Sequence, residues 1–164
     1  MKCELVNKEI KSNYINELLL ERGLAREDIP YFLEVPDDSK LEPPDNLDNI
    51  ERAFNIFQQI LHTIKPHIAL IVDSDVDGFT SSAIIYQYIM CCQPDATIDW
   101  ILHTGKGHGL ADTIDELIEI HEEHPIEFVI IPDAGSNDKE QHQTLLKLGM
   151  KCLVLDHHII DETP

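Results

Sequence analysis

Basic residues are scarce. Lysine and arginine total 12 against 31 aspartates and glutamates, a formal net charge of −19 over 164 residues. Such a surface repels phosphate backbones at long range. A nucleic-acid role therefore cannot rest on bulk charge; it needs metal ions, a local basic patch, or basic parts that this sequence lacks. Long apolar runs are missing too. None approaches the roughly 20 residues of a membrane span, and the opening MKCELVNKEIKSNYINELLLERG is too broken by charge for a signal peptide. No Cys-x-x-Cys pair occurs among Cys3, Cys91, Cys92 and Cys152. Free thiols in a reducing compartment are the plain reading, so the chain is expected in the cytoplasm, with no membrane partner. Internal repeats and low-complexity tracts are absent. What remains is 43% apolar and 26% charged, the composition of a globular chain long enough for one domain.

The pattern along the chain predicts alternating elements. Residues 11–22 carry helical spacing and end before Gly23, a natural stop. Residues 24–46, with four prolines, read as a short helix and a loop. Asp45 or Asn46 is placed to cap the next helix, which sets Ile50, Phe54, Phe57, Ile60, Leu61 and Ile64 on one face and stops at Pro66. Then the period changes. HIALIV before Asp73 is a continuous apolar run, the mark of a strand buried on both faces. A helix over TSSAIIYQYIMCC follows, with Thr80 or Ser81 near its N-cap. Strands at 97–103, 126–132 and 151–156 then alternate with helices over 111–124 and 138–149. This order predicts an α/β fold with a parallel sheet and helices on both faces, preceded by an N-terminal helical segment. The expected division is 1–46 for that segment and 47–164 for the α/β domain.

The chemistry concentrates at strand ends. Asp73-Ser74-Asp75-Val76-Asp77-Gly78 follows the first strand, Asp133 the third, and Asp156-His157-His158 the fourth. In a parallel sheet these carboxyl ends lie on one edge, where open α/β sheets bind their ligands. Five carboxylates gathered there repel one another, by on the order of 1 to 4 kcal/mol per pair at about 4 Å. Two divalent cations would offset four of those charges. Oxygen ligands with one or two imidazoles suit Mn²⁺, with Mg²⁺ possible; the lack of thiolates argues against structural zinc.

Blander readings exist for each piece. The Asp-x-Asp-x-Asp-Gly run also opens an EF-hand, but position twelve of that loop would be Ile84 rather than glutamate, and a strand rather than a helix precedes it. A solvated turn, a helix cap and a polar surface pair would account for the three segments one by one. They do not account for all three meeting on one edge. The Thr80, Ser81 and Ser82 hydroxyls could meet a phosphate at a helix N-terminus, or simply cap it. The loop Gly105-Lys106-Gly107-His108-Gly109 fits no Walker A or G-x-G-x-x-G pattern, though Gly107 and His108 could lie close to a substrate backbone. His121 and His124, flanking two glutamates, read as a solvated face.

DSDVDG (73–78), PDAG (132–135) and DHH (156–158), in this order, resemble the DHH phosphoesterase superfamily. LLLERGL, IPYFLEVP, DNIERAFNIF and GHGL (107–110) resemble the RecJ branch, exonucleases specific for single strands. The resemblance implies Asp73 and Asp75 on a first metal, Asp77 and His157 on a second, and Asp133 bridging them. It places Asp156 beside His157, fixing that ring or supporting the site, and His158 against the substrate phosphate. Many relatives carry a histidine two residues before the first aspartate; here that position is Ile71. The family's set also has a further aspartate and a substrate-gripping domain downstream, whereas this sequence ends six residues after His158. A missing C-terminal domain or partner chain is therefore expected. Three readings stay open: an exonuclease module for single-stranded DNA in repair or recombination, a phosphoesterase for short oligonucleotides or cyclic dinucleotides, and a non-catalytic module that binds metal or a partner.

Overall fold

The computed structural model describes residues 14–34, 43–103 and 109–160. The chain divides into two units, Met1–Leu47 and Asp48–Pro164. In the first, helix α1 (Tyr14–Glu21) stops at Gly23, whose φ of 91° lets the Gly23 and Leu24 amides turn back onto the Leu20 and Leu19 carbonyls. Helix α2 (Ile29–Leu33) follows and buries Ile29. No helix among the described residues is long and apolar enough to cross a membrane.

The second unit is built on four parallel strands, β1 (His67–Val72), β2 (Thr97–Leu102), β3 (Phe128–Pro132) and β4 (Lys151–Leu155), in the order β2-β1-β3-β4. The two central strands are buried on both faces, which explains their unbroken apolar runs. The edge strands are not: of β2 only Ile101 is buried, of β4 only Leu153. Alternation along the strands feeds two cores. Ala69, Ile71, Ile101, Val129 and Ile131 pack against Leu117 of α5 (Ile114–Glu123) and Leu145 of α6 (Lys139–Lys147). Ile68, Leu70, Val72, Phe128 and Ile130 pack against Ile60 of α3 (Ile50–His62) and Ile89 of α4 (Val76–Cys92). Each large side chain so buried contributes roughly 1.5–3 kcal/mol. The predicted architecture, a parallel sheet with helices on both faces, is the one observed.

Three local expectations need correction. Helix α3 begins after Asn49, in the left-handed conformation at φ 60°, not after Asp45 or Asn46, which lie in a single 3-10 turn. Its packed face is Ala53, Ile56, Phe57 and Ile60; Phe54 and Ile64 are exposed. At about 100° per residue, Phe54 falls a quarter-turn off the stripe that Ala53, Phe57 and Ile60 define. Helix α4 starts at Val76 with Asp75 as its cap, so Thr80 and Ser81 sit within the helix rather than at its N-cap.

The strand order sets the position of the site. From β1 the chain crosses by α4 to β2 on one side, then returns by α5 to β3 on the other side of β1. The connections leaving β1 and β3 therefore run to opposite faces of the sheet, and a crevice opens between their carboxyl ends. Register pairs Leu70 with Ile130, and the same register carried on sets Asp73 beside Asp133.

Candidate metal centre

Asp73 ends β1 and is almost wholly buried, at 1% exposure. Its Oδ1 accepts the Ser74 amide at 2.7 Å. Asp75 then caps α4, accepting the Gly78 amide at 2.9 Å. Gly78 is required by close approach: a Cβ there would lie 2.6 Å from both the Cβ and the carbonyl oxygen of Asp73. The glycine that closes the acidic run thus seats the first turn of α4 directly against the strand end.

Asp133 ends β3, with its amide donating to the Leu155 carbonyl at 2.8 Å. Its φ of 63° is left-handed, a region that aspartate enters more readily than most non-glycine residues. The carboxylate is buried and lies 3.0 Å from Nε2 of His157, whose own side chain is exposed. Burial pushes its pKa up, and the neighbouring Asp75 adds to the rise; His157 opposes it.

Two groups of ligand atoms close here. Oxygens of Asp73, Asp75 and Asp133 lie within 4.8 Å of one another, and so do ligand atoms of Asp133, His157 and His158. Asp133 belongs to both. Asp156 joins through His158: its Oδ1 lies 2.7 Å from the ring Nδ1, and its Oδ2 accepts the Ser136 amide at 3.0 Å. The ring that Asp156 holds is thus His158, not His157.

The remaining predicted residues stand apart. Asp77 is exposed in the first turn of α4, outside both close groups, although its charge is felt at Asp133. The Thr80 hydroxyl donates to the Val76 carbonyl at 2.8 Å and the Ser81 hydroxyl to Gly78 at 3.2 Å, so both are occupied within their own helix. Gly107 and His108 lie outside the described residues.

One residue at this edge was not singled out from the sequence. His103 directly follows β2, is 3% exposed, and sits with Nδ1 3.8 Å from Asp73 Oδ1 and Nε2 3.7 Å from Asp112 Oδ2. The available signal was its place, a histidine one residue past a strand that ends on the same edge.

The donor set suits a hard divalent cation. Three carboxylates crowd within 4.8 Å, two of them buried, and the buried like charges on Asp73 and Asp133 call for a compensating positive charge. Carboxylates at one group and carboxylate with imidazole at the other are the ligands that Mg²⁺ and Mn²⁺ take.

Comparison with known proteins identifies the family. The DHH family, N-terminal domain, matches residues 67–164. A prophage SPbeta protein of Bacillus subtilis (strain 168) and its counterpart in Bacillus phage SPbeta are each 39% identical over 142 residues, 86% of this chain. Both carry the provisional name single-strand DNA-specific exonuclease YorK. The chain spans 23% of the length of these relatives.

Proposed function

Since this chain belongs to the DHH family, whose members are metal-dependent hydrolases, we propose that it forms the metal-binding half of a phosphodiesterase acting on single-stranded DNA. The observation that carries the reading is the position of Asp133, within reach of both ligand groups at once. A single carboxylate so placed serves two cations, in keeping with phosphodiester hydrolysis by paired ions.

In this reading Asp73 and Asp75 would hold one Mn²⁺, His157 and Asp77 the other, and Asp133 would contribute to both. The ions, when bound, supply an acidified water and Lewis-acid stabilisation of the attacking and leaving oxygens. The protein's part is placement. Asp73 is fixed by the Ser74 amide and by the contact with Gly78. His158, held by Asp156, presents its imidazole toward a phosphate oxygen of the substrate, and the rigid Asp156 bond spares the ring the entropy of finding its pose. A further domain or partner chain grips the rest of the strand.

A second reading draws on the net charge of −19, which suits a short oligonucleotide better than a long polyanion. The test compares a long end-labelled single strand, the matching duplex and a dinucleotide, each with Mn²⁺. Mononucleotides released from the single strand alone support the exonuclease. Cleavage of the dinucleotide alone moves the assignment to small substrates. No hydrolysis despite measurable Mn²⁺ binding, even with the downstream region of an SPbeta-type relative added in trans, leaves a binding module and defeats both enzymatic readings.

A further inference from the structure

The metal-centre reading uses residues following β1, β3 and β4. It makes no use of β2, the remaining strand of the same edge. Yet β2 delivers a buried imidazole to that edge. His103 is 3% exposed, and among the described residues its Nδ1 has no hydrogen-bond partner. Leaving a buried ring nitrogen unpaired costs about 1–3 kcal/mol, so its retention calls for a partner of another kind.

Position says which. Val72 pairs with Leu102, and the His103 amide donates to the Val72 carbonyl at 2.9 Å. The ladder therefore sets His103 directly beside Asp73. Ile71 and Ile101, two residues earlier on each strand, both point into the α5–α6 core, so strand alternation sends Asp73 and His103 to that same face. The contact between them, Nδ1 to Oδ1, is 3.8 Å. That is too long for a hydrogen bond. It is the spacing of two ligands on one cation: with bonds of about 2.1 Å, ligand atoms lie between about 3 and 4.2 Å apart.

The far side of the ring is equipped as well. Nε2 lies 3.7 Å from Oδ2 of Asp112. Like the Nδ1 contact, this is too long for a hydrogen bond, but it sets a carboxylate behind the ring, where closure by less than about 1 Å would hold the proton on Nε2, the outer-shell arrangement of many metal-bound histidines. With the proton on Nε2, the lone pair of Nδ1 is left facing Asp73.

We propose that His103, which lies beside Asp73 though outside the two close ligand groups, is a metal ligand, closing through Nδ1 on the cation that Asp73 would hold, with Asp112 behind its ring. The inference deepens the metal-centre reading and rests on it. Each of the two cations then has one imidazole, His103 for the first and His157 for the second, with Asp133 between them. It also gives the first cation a nitrogen ligand that Ile71, buried in the core, cannot supply.

The test uses the whole chain with isotope-labelled histidine rings and Cd²⁺ as the probe. Magnetic resonance reads a direct bond as spin coupling between cadmium and a ring nitrogen. Coupling at Nδ1 of His103 and at the ring of His157 is the expected result. Coupling at His157 alone overturns the proposal and leaves the metal centre standing. No coupling at any histidine, with no Cd²⁺ bound, overturns the metal centre and this proposal with it. In parallel, His103→Gln is expected to weaken one of two Mn²⁺ binding events at least about tenfold, with the other unchanged; a folded His103→Gln chain that binds both ions as the wild type does overturns the proposal. Where that variant does not fold, the cadmium measurement on the unaltered chain decides.

Discussion

Asp156 and His158 are tied twice over two residues of chain: Oδ1 of Asp156 lies 3.0 Å from the His158 amide, which donates to it, and 2.7 Å from the His158 ring Nδ1. With Oδ2 taken by the Ser136 amide, both oxygens of the carboxylate are committed. This knot fixes the loop after β4 against the loop after β3, and so fixes the two histidines relative to Asp133. Burial works against the charge of Asp156, but the bonds from His158 and Ser136 outweigh it and hold the carboxyl well below the usual carboxylate range.

The Asp156→Asn chain is therefore expected to be less stable by about 1–3 kcal/mol at neutral pH, since an amide cannot accept at both positions. The sign fixes the window. A carboxyl whose folded pKa is depressed contributes fully above its unfolded value of about 3.9 and loses that contribution as pH falls from there toward the folded value. Denaturant titrations at neutral pH and at successively lower pH check it: the gap between wild type and variant is widest at neutral pH and narrows in acid. A gap constant with pH contradicts the assignment.

Asp133 has the opposite sign. Burial and the nearby Asp75 raise its pKa, so in the metal-free protein its charge opposes folding above that pKa, and the opposition disappears as pH falls through it. Asp133→Asn keeps the shape, and asparagine tolerates the left-handed backbone. Thermal melts should show the metal-free variant melting above the wild type at neutral pH. Millimolar Mn²⁺ should raise the wild-type melting temperature, by the equivalent of about 2.7 kcal/mol at a hundredfold excess over Kd. It should do nothing for Asp133→Asn, and should retain part of its effect on Asp73→Ala, since among the described residues only Asp133 belongs to both groups.

Much of this was legible in the sequence because strand ends are local and the edge they share follows from parallel topology. Asp73, Asp75, Asp133, His157 and His158 could be gathered on paper: apolar runs mark the strands, and alternation of strand and helix makes all their carboxyl ends coincide. Three things were not legible. Helix starts slipped, because Asp75 caps α4 with its side chain while also standing at the metal site, and a motif read as ligands hides a cap. The pairing of Asp156 with His158 rather than His157 depends on side-chain direction after the strand, which spacing does not reveal. His103 escaped because a lone histidine after an edge strand carries no motif; only register, which sets it beside Asp73, gives it meaning.

Gly78→Ala tests how tightly the first strand end is built. Alanine gains about 1 kcal/mol over glycine in a helix interior. Here the added methyl would meet the Asp73 backbone at 2.6 Å from its carbonyl oxygen and 2.8 Å from its carbonyl carbon, which cannot rotate away. Overpacking of this kind costs about 1–3 kcal/mol, so the net change should be destabilising and should shift Asp73 with it. Chemical denaturation with and without Mn²⁺ checks both parts: a lower midpoint, and a weaker response to the cation. A variant as stable as wild type would show that α4 is free to back away from β1.

Cys152 offers a prediction away from the metal centre. It lies in β4, packed against the α5–α6 core, and burial pushes its thiol up to about 12. Its neighbour reinforces the neutral form. His142 Nε2 is 2.7 Å from the Gly135 carbonyl, so that nitrogen carries the proton, and Nδ1, 3.4 Å from Cys152 Sγ, is left to accept from the thiol. Cys91 and Cys92 are exposed at the end of α4. The thiolate is the reactive species, so alkylation at about pH 8 should modify the exposed Cys91 and Cys92 well before the buried Cys152. Between pH 7 and pH 10 Cys152 should keep gaining rate in proportion to hydroxide for as long as the fold holds. Peptide mapping of a timed alkylation series reads this directly, and denaturant should abolish the difference. Labelling of Cys152 in step with Cys91 under native conditions would mean that β4 opens easily, and with it the loop that carries Asp156, His157 and His158.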